Sequence, residues 1–117
     1  MSAIHYRWID IPGESIGNSI ERKFITGQRV TVSRFELKRG GVVPRHSHEQ
    51  EQMTCVMSGA LRFTIDGRET VVRQGEVLDI GPWVEHEVEV LEDALVVDVF
   101  SPVRQDWIDK TDTYFTR

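Results

Sequence analysis

Residues 52–75, QMTCVMSGALRFTIDGRETVVRQG, decide the fold class of this chain. They form successive short runs rich in β-branched and aromatic residues, which is the pattern of strands joined by tight turns. The breaks between the runs fall at Ser58-Gly59, Asp66-Gly67 and Gln74-Gly75. An Asp-Gly pair between two such runs is typical of a two-residue hairpin, because both residues tolerate the positive φ that the turn requires. The segment therefore predicts antiparallel strands.

The same pattern continues on both sides of this segment. Residues 29–37, RVTVSRFEL, predict a strand that ends in the turn KRGG. The runs EVLDI, HEVEVL and ALVVDVF predict further strands, separated by turns at GPW (81–83) and LED (91–93). Only residues 104–112, RQDWIDKTD, permit a short helix. Many short strands at regular spacing predict an all-β fold, an antiparallel jelly-roll β-barrel.

Length and charge limit the classes of function. A chain of 117 residues is near the usual size of one domain, so we expect a single domain over 1–117. The formal net charge of −5 gives no global positive field, so nucleic acid is not an expected partner. A small anionic ligand stays compatible with this charge, because a few arginines or a metal ion can reverse the field inside a pocket.

The sequence also predicts where the protein works. Its start, MSAIHYRWIDIPG, has no basic region followed by a long apolar run, and no stretch approaches the ~20 apolar residues of a membrane span. Cys55 is the only cysteine, so no internal disulfide can form. We interpret Cys55, within the apolar run MTCVM, as a small buried residue and not as a nucleophile. We therefore expect a cytoplasmic protein without membrane contact.

Two of the four histidines lie one residue apart in PRHSHEQEQMT, residues 44–54. If this stretch is a strand, its alternate side chains share one face, which would bring His46, His48 and Gln52 together. Two imidazoles and an amide oxygen could then converge on one ion. The adjacent Glu51 is a better ligand for hard cations, but the alternation of the strand favours Gln52.

The spacing around these histidines defines two sequence blocks. The first, residues 40–59, follows G-x5-H-x-H-x3-(E/Q)-x6-G. The second, residues 75–90, begins with glycine and reaches His86 after ten further residues. These blocks resemble the paired motifs of the cupin superfamily, whose fold is a small β-barrel that holds one metal ion.

The resemblance implies a metal site made of four side chains: His46, His48, Gln52 and His86. Gln52 stands where that family usually has a glutamate. Gly81, Trp83 and Val90 also differ from the family pattern, at positions that shape a turn and a strand. Glu51 stays the alternative fourth ligand, which the strand alternation disfavours.

The types of ligand indicate the kind of chemistry. Three imidazoles and an amide carry no charge, so a bound ion would keep its full dipositive charge and have open positions for a ligand. Such an ion suits Lewis-acid work on an anionic or oxygen-chelating ligand. These ligands do not fix the metal, and the predicted cofactor is one divalent transition metal ion: Ni, Zn, Fe, Mn or Cu.

A second set of candidate residues lies near the end of the chain, in LVVDVFSPVRQDW, residues 95–107. Strand alternation places Asp98 and Phe100 on one face, with Arg104 just beyond the strand. The apolar run around Asp98 favours a pocket-facing carboxylate, although a solvated edge strand is the alternative reading.

Together with GNSIERKFITG and HSHEQEQMTCVMSGALRFTIDG, this ending is similar to the KdgF family, the small single-domain cupins of pectin degradation. The likeness covers residues 16–107. It implies conversion of 4,5-unsaturated monouronates, released from pectin or alginate, to the linear 4-deoxy-5-keto uronate. It also implies that the functional Asp, Phe and Arg of that family fall on Asp98, Phe100 and Arg104.

This reaction gives each of these residues a role. The carboxylate and ring oxygen of an unsaturated uronate lie on one carbon, so together they could chelate a metal that stabilises the charge of the opening ring. Asp98 would move the proton, as general acid or base. Arg104 would hold the substrate carboxylate, and Phe100 would cover an apolar face of the sugar.

Two other classes of function stay open. One is a different cupin metalloenzyme, such as a dioxygenase or a sugar isomerase, because one fold hosts many functions. The other is a non-enzymatic module that binds a metal or a sugar. In each case we expect a homodimer, since small cupins resemble one another in pairing and the segment IHYRWIDI has the alternation of a strand that could extend a neighbour's sheet.

Overall fold

One eight-stranded antiparallel sheet dominates the computed structural model, which describes residues 2–112. Its strands are β1 (Glu14–Ile16), β2 (Ile20–Thr26), β3 (Thr31–Leu37), β4 (Val42–His46), β5 (Glu51–Ile65), β6 (Arg68–Arg73), β7 (Val77–Ile80) and β8 (His86–Ser101). A 3-10 turn, Trp8–Asp10, precedes the strands, and a one-turn helix, α1 (Gln105–Ile108), follows them. The predicted all-β antiparallel fold and the short helix are confirmed.

The two long strands, β5 and β8, organise the barrel. They pair with each other over most of their length, from Glu51 opposite Ser101 to Thr64 opposite Glu87. β5 also pairs with β7 through its first residues and with β6 through its last. β8 pairs with β4 near its start and with β3 near its end. Because each long strand changes partner along its length, the sheet folds over and encloses a core.

The expected breaks at Ser58-Gly59 and at residues 91–93 are wrong, because β5 and β8 run through them. The β5–β8 ladder instead shifts register between Val56 and Leu61. Gly59 adopts φ +83, which glycine tolerates and which a bulge of this kind requires. These two signals therefore mark a bend in paired strands and not a reversal of the chain.

The hairpin predicted at Asp66-Gly67 is confirmed. Ile65 pairs with Arg68, and the two central residues have φ values of +53 and +73. Two successive positive φ values match the twist of the flanking strands. The hairpin joins β5 to β6, at the end of β5 that pairs with the start of β8.

The interior of the barrel holds an apolar core that also borders the polar candidate residues. Its core packs buried aromatic and branched side chains from most strands, among them Phe35, Leu61, Phe63 and Val96. The ring of Trp107 in α1 contacts Phe24, Phe35 and Phe100 at centroid distances of 5.4, 6.0 and 5.0 Å. The short helix thus places an aromatic side chain against the barrel core.

Two expectations at the surface need correction. The segment IHYRWIDI forms no strand; its residues 8–10 make the 3-10 turn, which an Arg7–Asp10 ion pair of 2.9 Å accompanies. Cys55 is half-buried and not fully enclosed. Over residues 2–112, no helix is long and apolar enough to cross a membrane.

Candidate metal centre and pocket

The four predicted metal ligands come from three strands and a loop. His46 ends β4, His48 lies in the loop that follows, Gln52 is the second residue of β5 and His86 begins β8. Residues 44–54 are therefore not one strand, but the expected alternation is present, because His46, His48, Gln50 and Gln52 are buried and the residues between them are not. The ligands meet because β4 and β5 both pair with β8, which sets His46 directly opposite His86.

The three imidazoles form a compact, buried cluster. One nitrogen from each of His46, His48 and His86 lies within 4.8 Å of the others. The ring centroids of His46 and His86 are 4.2 Å apart, and those of His48 and His86 are 5.2 Å apart. A single ion between the rings could therefore contact all three.

Backbone carbonyls orient all three rings. The Nδ1 atom of each imidazole lies within hydrogen-bond distance of the carbonyl oxygen two residues away along the chain. These distances are 2.7 Å for His46 and Pro44, 3.0 Å for His48 and Gln50, and 2.9 Å for His86 and Val84. Donation from Nδ1 leaves Nε2 as the ligand atom, and such a partner is usual for histidines that bind metals.

The contacts of His48 show that a cation fits this cluster. Its Nδ1 faces the carbonyl oxygen of Gln50, and its Nε2 lies 3.1 Å from Oε1 of Gln52. Both partners are acceptors, whereas a neutral imidazole has only one N–H to donate. The Gln52 amide is held in this orientation because its Nε2 donates to Thr54 Oγ1 at 2.9 Å. A cation beside Nε2 would satisfy both facing lone pairs.

His86 has an unsatisfied atom at the same point. Its Nε2 is buried and has no hydrogen-bond partner within residues 2–112. A buried polar atom without a partner is costly, so such atoms usually have a ligand. The donor set of three imidazoles and one amide oxygen therefore fits a divalent transition metal.

Burial keeps these imidazoles neutral. It lowers the pKa of His46 to about 3, with a further contribution from His86. It lowers the pKa of His48 to about 4, with the positive charge of Arg104 as the next cause. The pKa of His86 is lowered by the same burial. Neutral rings are the form that a metal ion binds, so the cluster needs no deprotonation at neutral pH.

The other candidates, Asp98, Phe100 and Arg104, lie in the same pocket. Asp98 and Phe100 point inward from β8, and Arg104 lies just before α1. An empty volume of about 490 Å³, including its opening, is bordered by these three residues together with His46 and His86. The ring of Phe100 lies 5.7 Å from that of His48. The structure thus brings both sets of candidate residues together around one pocket.

Asp98 is a buried carboxyl with an unusual proton affinity. Burial raises its pKa to about 7, although the Thr54 hydroxyl, the charge of Arg104 and the Gln52 amide partly oppose this effect. Its Oδ1 has no hydrogen-bond partner within the described chain. A carboxyl with a pKa near 7 can both give and take a proton at neutral pH.

Arg104 is held from three sides, which the sequence did not predict. Its guanidinium lies 4.7 Å from the Phe100 ring centroid and 4.3 Å from that of Trp107. Its Nε and Nη2 atoms donate to the two carboxylate oxygens of Asp106 at 2.9 and 2.7 Å. The spacing R-x-D before a tryptophan was the only sequence signal for this cluster.

Two further residues support the pocket from outside. The backbone N–H of Trp83 donates to the carbonyl of His48 at 2.8 Å, and Trp83 has a left-handed φ of +62 with a side chain that is 66% exposed. Arg22 of β2 lies 4.3 Å from the Trp107 ring and pairs with Asp112 at 3.1 Å. The loop before β8 therefore holds the backbone of His48 through a hydrogen bond, and β2 contacts α1 through Arg22.

A family model described as the cupin domain matches residues 33–100. Among solved structures, KdgF from Halomonas sp. superposes with a TM-score of 0.84 and 25% identity, covering 91% of this chain and 99% of that one. An RmlC-like cupin from Shewanella frigidimarina gives 0.83 and 22%, covering 91% and 96%. Oxalate decarboxylase from Bacillus subtilis gives 0.77 and 19%, over 87% of this chain and 30% of that one. No curated protein matches significantly.

Proposed function

This chain belongs to the cupin family, and we propose that it is a metal-dependent enzyme that linearises 4,5-unsaturated monouronates to 4-deoxy-5-keto uronate. The observation that carries this proposal is the presence of Asp98 and Arg104 in the same pocket as His46 and His86 of the histidine cluster. The similarity to KdgF from Halomonas sp., which extends over nearly the whole of both chains, supports it.

The ligands for one divalent ion would be His46, His48 and His86, with Gln52 as a fourth. When bound, such an ion supplies Lewis-acid stabilisation of negative charge on oxygen atoms of the ligand. These four side chains can bind Ni, Zn, Fe, Mn or Cu and do not select one of them. The backbone carbonyls that fix the imidazoles keep the ligand atoms oriented before any ion binds.

Asp98 would transfer the proton. Its Oδ1 atom is buried and faces the pocket without a hydrogen-bond partner in residues 2–112. This atom would take the proton of the anomeric hydroxyl or deliver one to C4 of the enol. The raised pKa of Asp98, about 7, places both protonation states within reach at neutral pH.

Arg104 and Phe100 would bind the substrate. Arg104 brings a positive charge into the pocket of a protein whose formal net charge is −5, and its planar fork suits a carboxylate. The buried ring of Phe100 would cover an apolar face of the sugar.

The test is to supply the metal-loaded protein with unsaturated galacturonate or guluronate and to follow the loss of alkene absorbance, after subtraction of the spontaneous rate. Asp98→Asn keeps the shape of the side chain but removes the acid-base group, so it should slow turnover about 10²–10⁴-fold. Equal metal content in both proteins is the necessary control. If the parent protein leaves both substrates unchanged, or if Asp98→Asn turns over at the parental rate, the proposal is wrong.

A further inference from the structure

Arg104 already has a carboxylate partner inside the protein, and this changes how it could receive a substrate. We infer that Asp106 is a specificity-determining residue. Its carboxylate occupies the Arg104 fork until it is displaced by a carboxylate ligand that also gains contacts at the histidine cluster. The inference rests on the proposed function, because a uronate is a ligand of this kind.

The geometry of the Arg104–Asp106 pair is that of a bound carboxylate. Nε donates to Oδ1 at 2.9 Å and Nη2 donates to Oδ2 at 2.7 Å, which is a parallel two-bond contact. A uronate carboxylate would use the same fork. Asp106 therefore stands in the place that the substrate carboxylate would take.

The two partners differ in their freedom to move. The Arg104 side chain is 1% exposed and packs on Phe100 and Trp107. The backbone N–H of Arg104 donates to Thr31 Oγ1 at 2.9 Å, which fixes the main chain as well. The Asp106 side chain is 31% exposed and lies in a helix of a single turn. Asp106 can therefore turn towards water while Arg104 stays in place.

Exchange of one carboxylate for another avoids a large electrostatic cost. Removing the partner of a buried charge is strongly unfavourable, whereas a swap keeps a carboxylate in the Arg104 fork in both states. Asp106 is attached two residues away, so its effective concentration at the fork is high. A simple anion such as acetate has one carboxylate and cannot fill the fork and contact a bound metal together, so it competes poorly with Asp106. A uronate gains further contacts in the pocket and can win.

The test compares binding of acetate and of saturated D-galacturonate to the metal-loaded protein by titration calorimetry. Galacturonate lacks the alkene, so its binding is measured without turnover. Asp106→Asn removes the competing charge and should tighten acetate binding about tenfold or more, if the fork is closed in roughly nine of ten molecules. The preference for galacturonate over acetate should fall accordingly. Asp106→Glu, which restores a carboxylate, should recover much of that preference.

Asp109→Asn is the matched control, because Asp109 lies one turn further on and accepts from Gln105 Nε2 at 3.1 Å. It should leave both affinities unchanged. If Asp106→Asn binds acetate no more tightly, or binds both ligands more weakly, Asp106 only supports Arg104 and the inference is overturned. The inference is also overturned if the parental protein binds acetate as tightly as galacturonate, or binds neither. This comparison needs only the parental protein, so it can be made even if Asp106→Asn does not fold.

The binding test and the activity test can fail separately. Tighter acetate binding by Asp106→Asn without any turnover of unsaturated uronates would keep the role of Asp106 and reject the proposed reaction. Turnover of unsaturated uronates by the parent, together with an unchanged acetate affinity in Asp106→Asn, would keep the proposed reaction and reject the role of Asp106.

Discussion

His48 is the residue at which the need for a cation is clearest. A neutral ring has one proton, yet both of its nitrogens face oxygen acceptors at 3.0 and 3.1 Å. A second proton would resolve the conflict, but burial and the charge of Arg104 lower the pKa of His48 to about 4. At neutral pH a metal ion is therefore the partner that these contacts favour.

Replacing His48 by alanine should sharply reduce the metal content. The site would lose one of its three imidazoles, and the core strands that hold the fold would remain. Elemental analysis of the purified variant measures the loss, and circular dichroism checks the fold. His5→Ala is the matched control, because His5 is exposed and outside the cluster. Full metal occupancy in His48→Ala would refute the ligand assignment.

The metal-free protein should lose stability as the pH falls from 6.5 towards 4. The pKa values of His46, His48 and His86 are all lowered by burial, so below pH 6.5 the unfolded chain binds protons that the folded chain does not. Asp98 acts in the opposite direction, because its raised pKa favours the folded state at low pH. Three groups outweigh one, so the denaturation midpoint should fall.

Urea denaturation of chelator-treated protein at pH 6.5 and pH 5 measures this change. Asp98→Asn removes the opposing group, so in that variant the fall between the two pH values should be steeper than in the parent. A midpoint that is the same or higher at pH 5 would contradict the assignment of neutral, buried histidines.

At the scale of elements, the bend in the β5–β8 pair shows what local sequence can determine. The dipeptide Ser58-Gly59 has the chemistry of a turn, and Gly59 does adopt a positive φ. The same backbone conformation serves a reversal and a bulge, and only the long-range pairing of β5 with β8 selects the bulge. For this reason the strands and the hairpin at Asp66-Gly67 were predictable, and the continuity of β5 was not.

The candidate site also has a part that was predictable from the sequence and a part that was not. The spacing of His46, His48 and His86 located the cluster, although the strand expected over residues 44–54 was wrong. Asp106 and Trp107 were missed because their contacts with Arg104 depend on how α1 packs against the barrel, which has no local pattern.

Gly59→Ala should destabilise the fold more than a change to alanine at another glycine with a positive φ. An added Cβ at Gly59 would collide with the carbonyl oxygen of Asp93 and lie 2.8 Å from Ala94 Cα. We expect a loss of about 1–2 kcal/mol from the backbone conformation and a further ~1–3 kcal/mol from overpacking. The measurement is the free energy of unfolding in urea.

Gly67→Ala is the control for this comparison. Gly67 has φ +73, and nothing lies within 4 Å of an added Cβ, so only the backbone cost should remain. Equal losses in the two variants would show that the close approach of β5 and β8 at the bend does not constrain residue 59.

At the scale of the whole molecule, an apolar face lies on the outside of the sheet. Val32, Val99 and Met53 are in register across β3, β8 and β5, and Val77 of β7 lies in the next row. Met53 is 44% exposed and Val77 is 58% exposed. The exposed Asp79 of β7 pairs with Met53 and gives this surface a charged edge. Apolar surface with a polar rim is typical of a contact with another chain. This face now supports the proposed homodimer better than the N-terminal segment does.

A charge in the middle of this face should separate the two copies. Met53→Glu would place a carboxylate in a two-fold contact, where it meets the same apolar surface of its partner. Light scattering at micromolar concentration should show a dimer for the parent and a monomer for the variant. Val71→Glu, on β6 and outside the face, should stay dimeric. A monomeric parent would refute the dimer.

The position of Trp107 gives the protein a built-in optical probe. Its indole is buried against Phe100 and lies 4.3 Å from the guanidinium of Arg104, whereas the Trp83 side chain is 66% exposed. Emission from Trp107 should thus be blue-shifted and shielded from iodide, and emission from Trp83 should be quenched. Because Trp107 touches the group that would receive the substrate carboxylate, its fluorescence should report pocket occupancy in real time without any attached label.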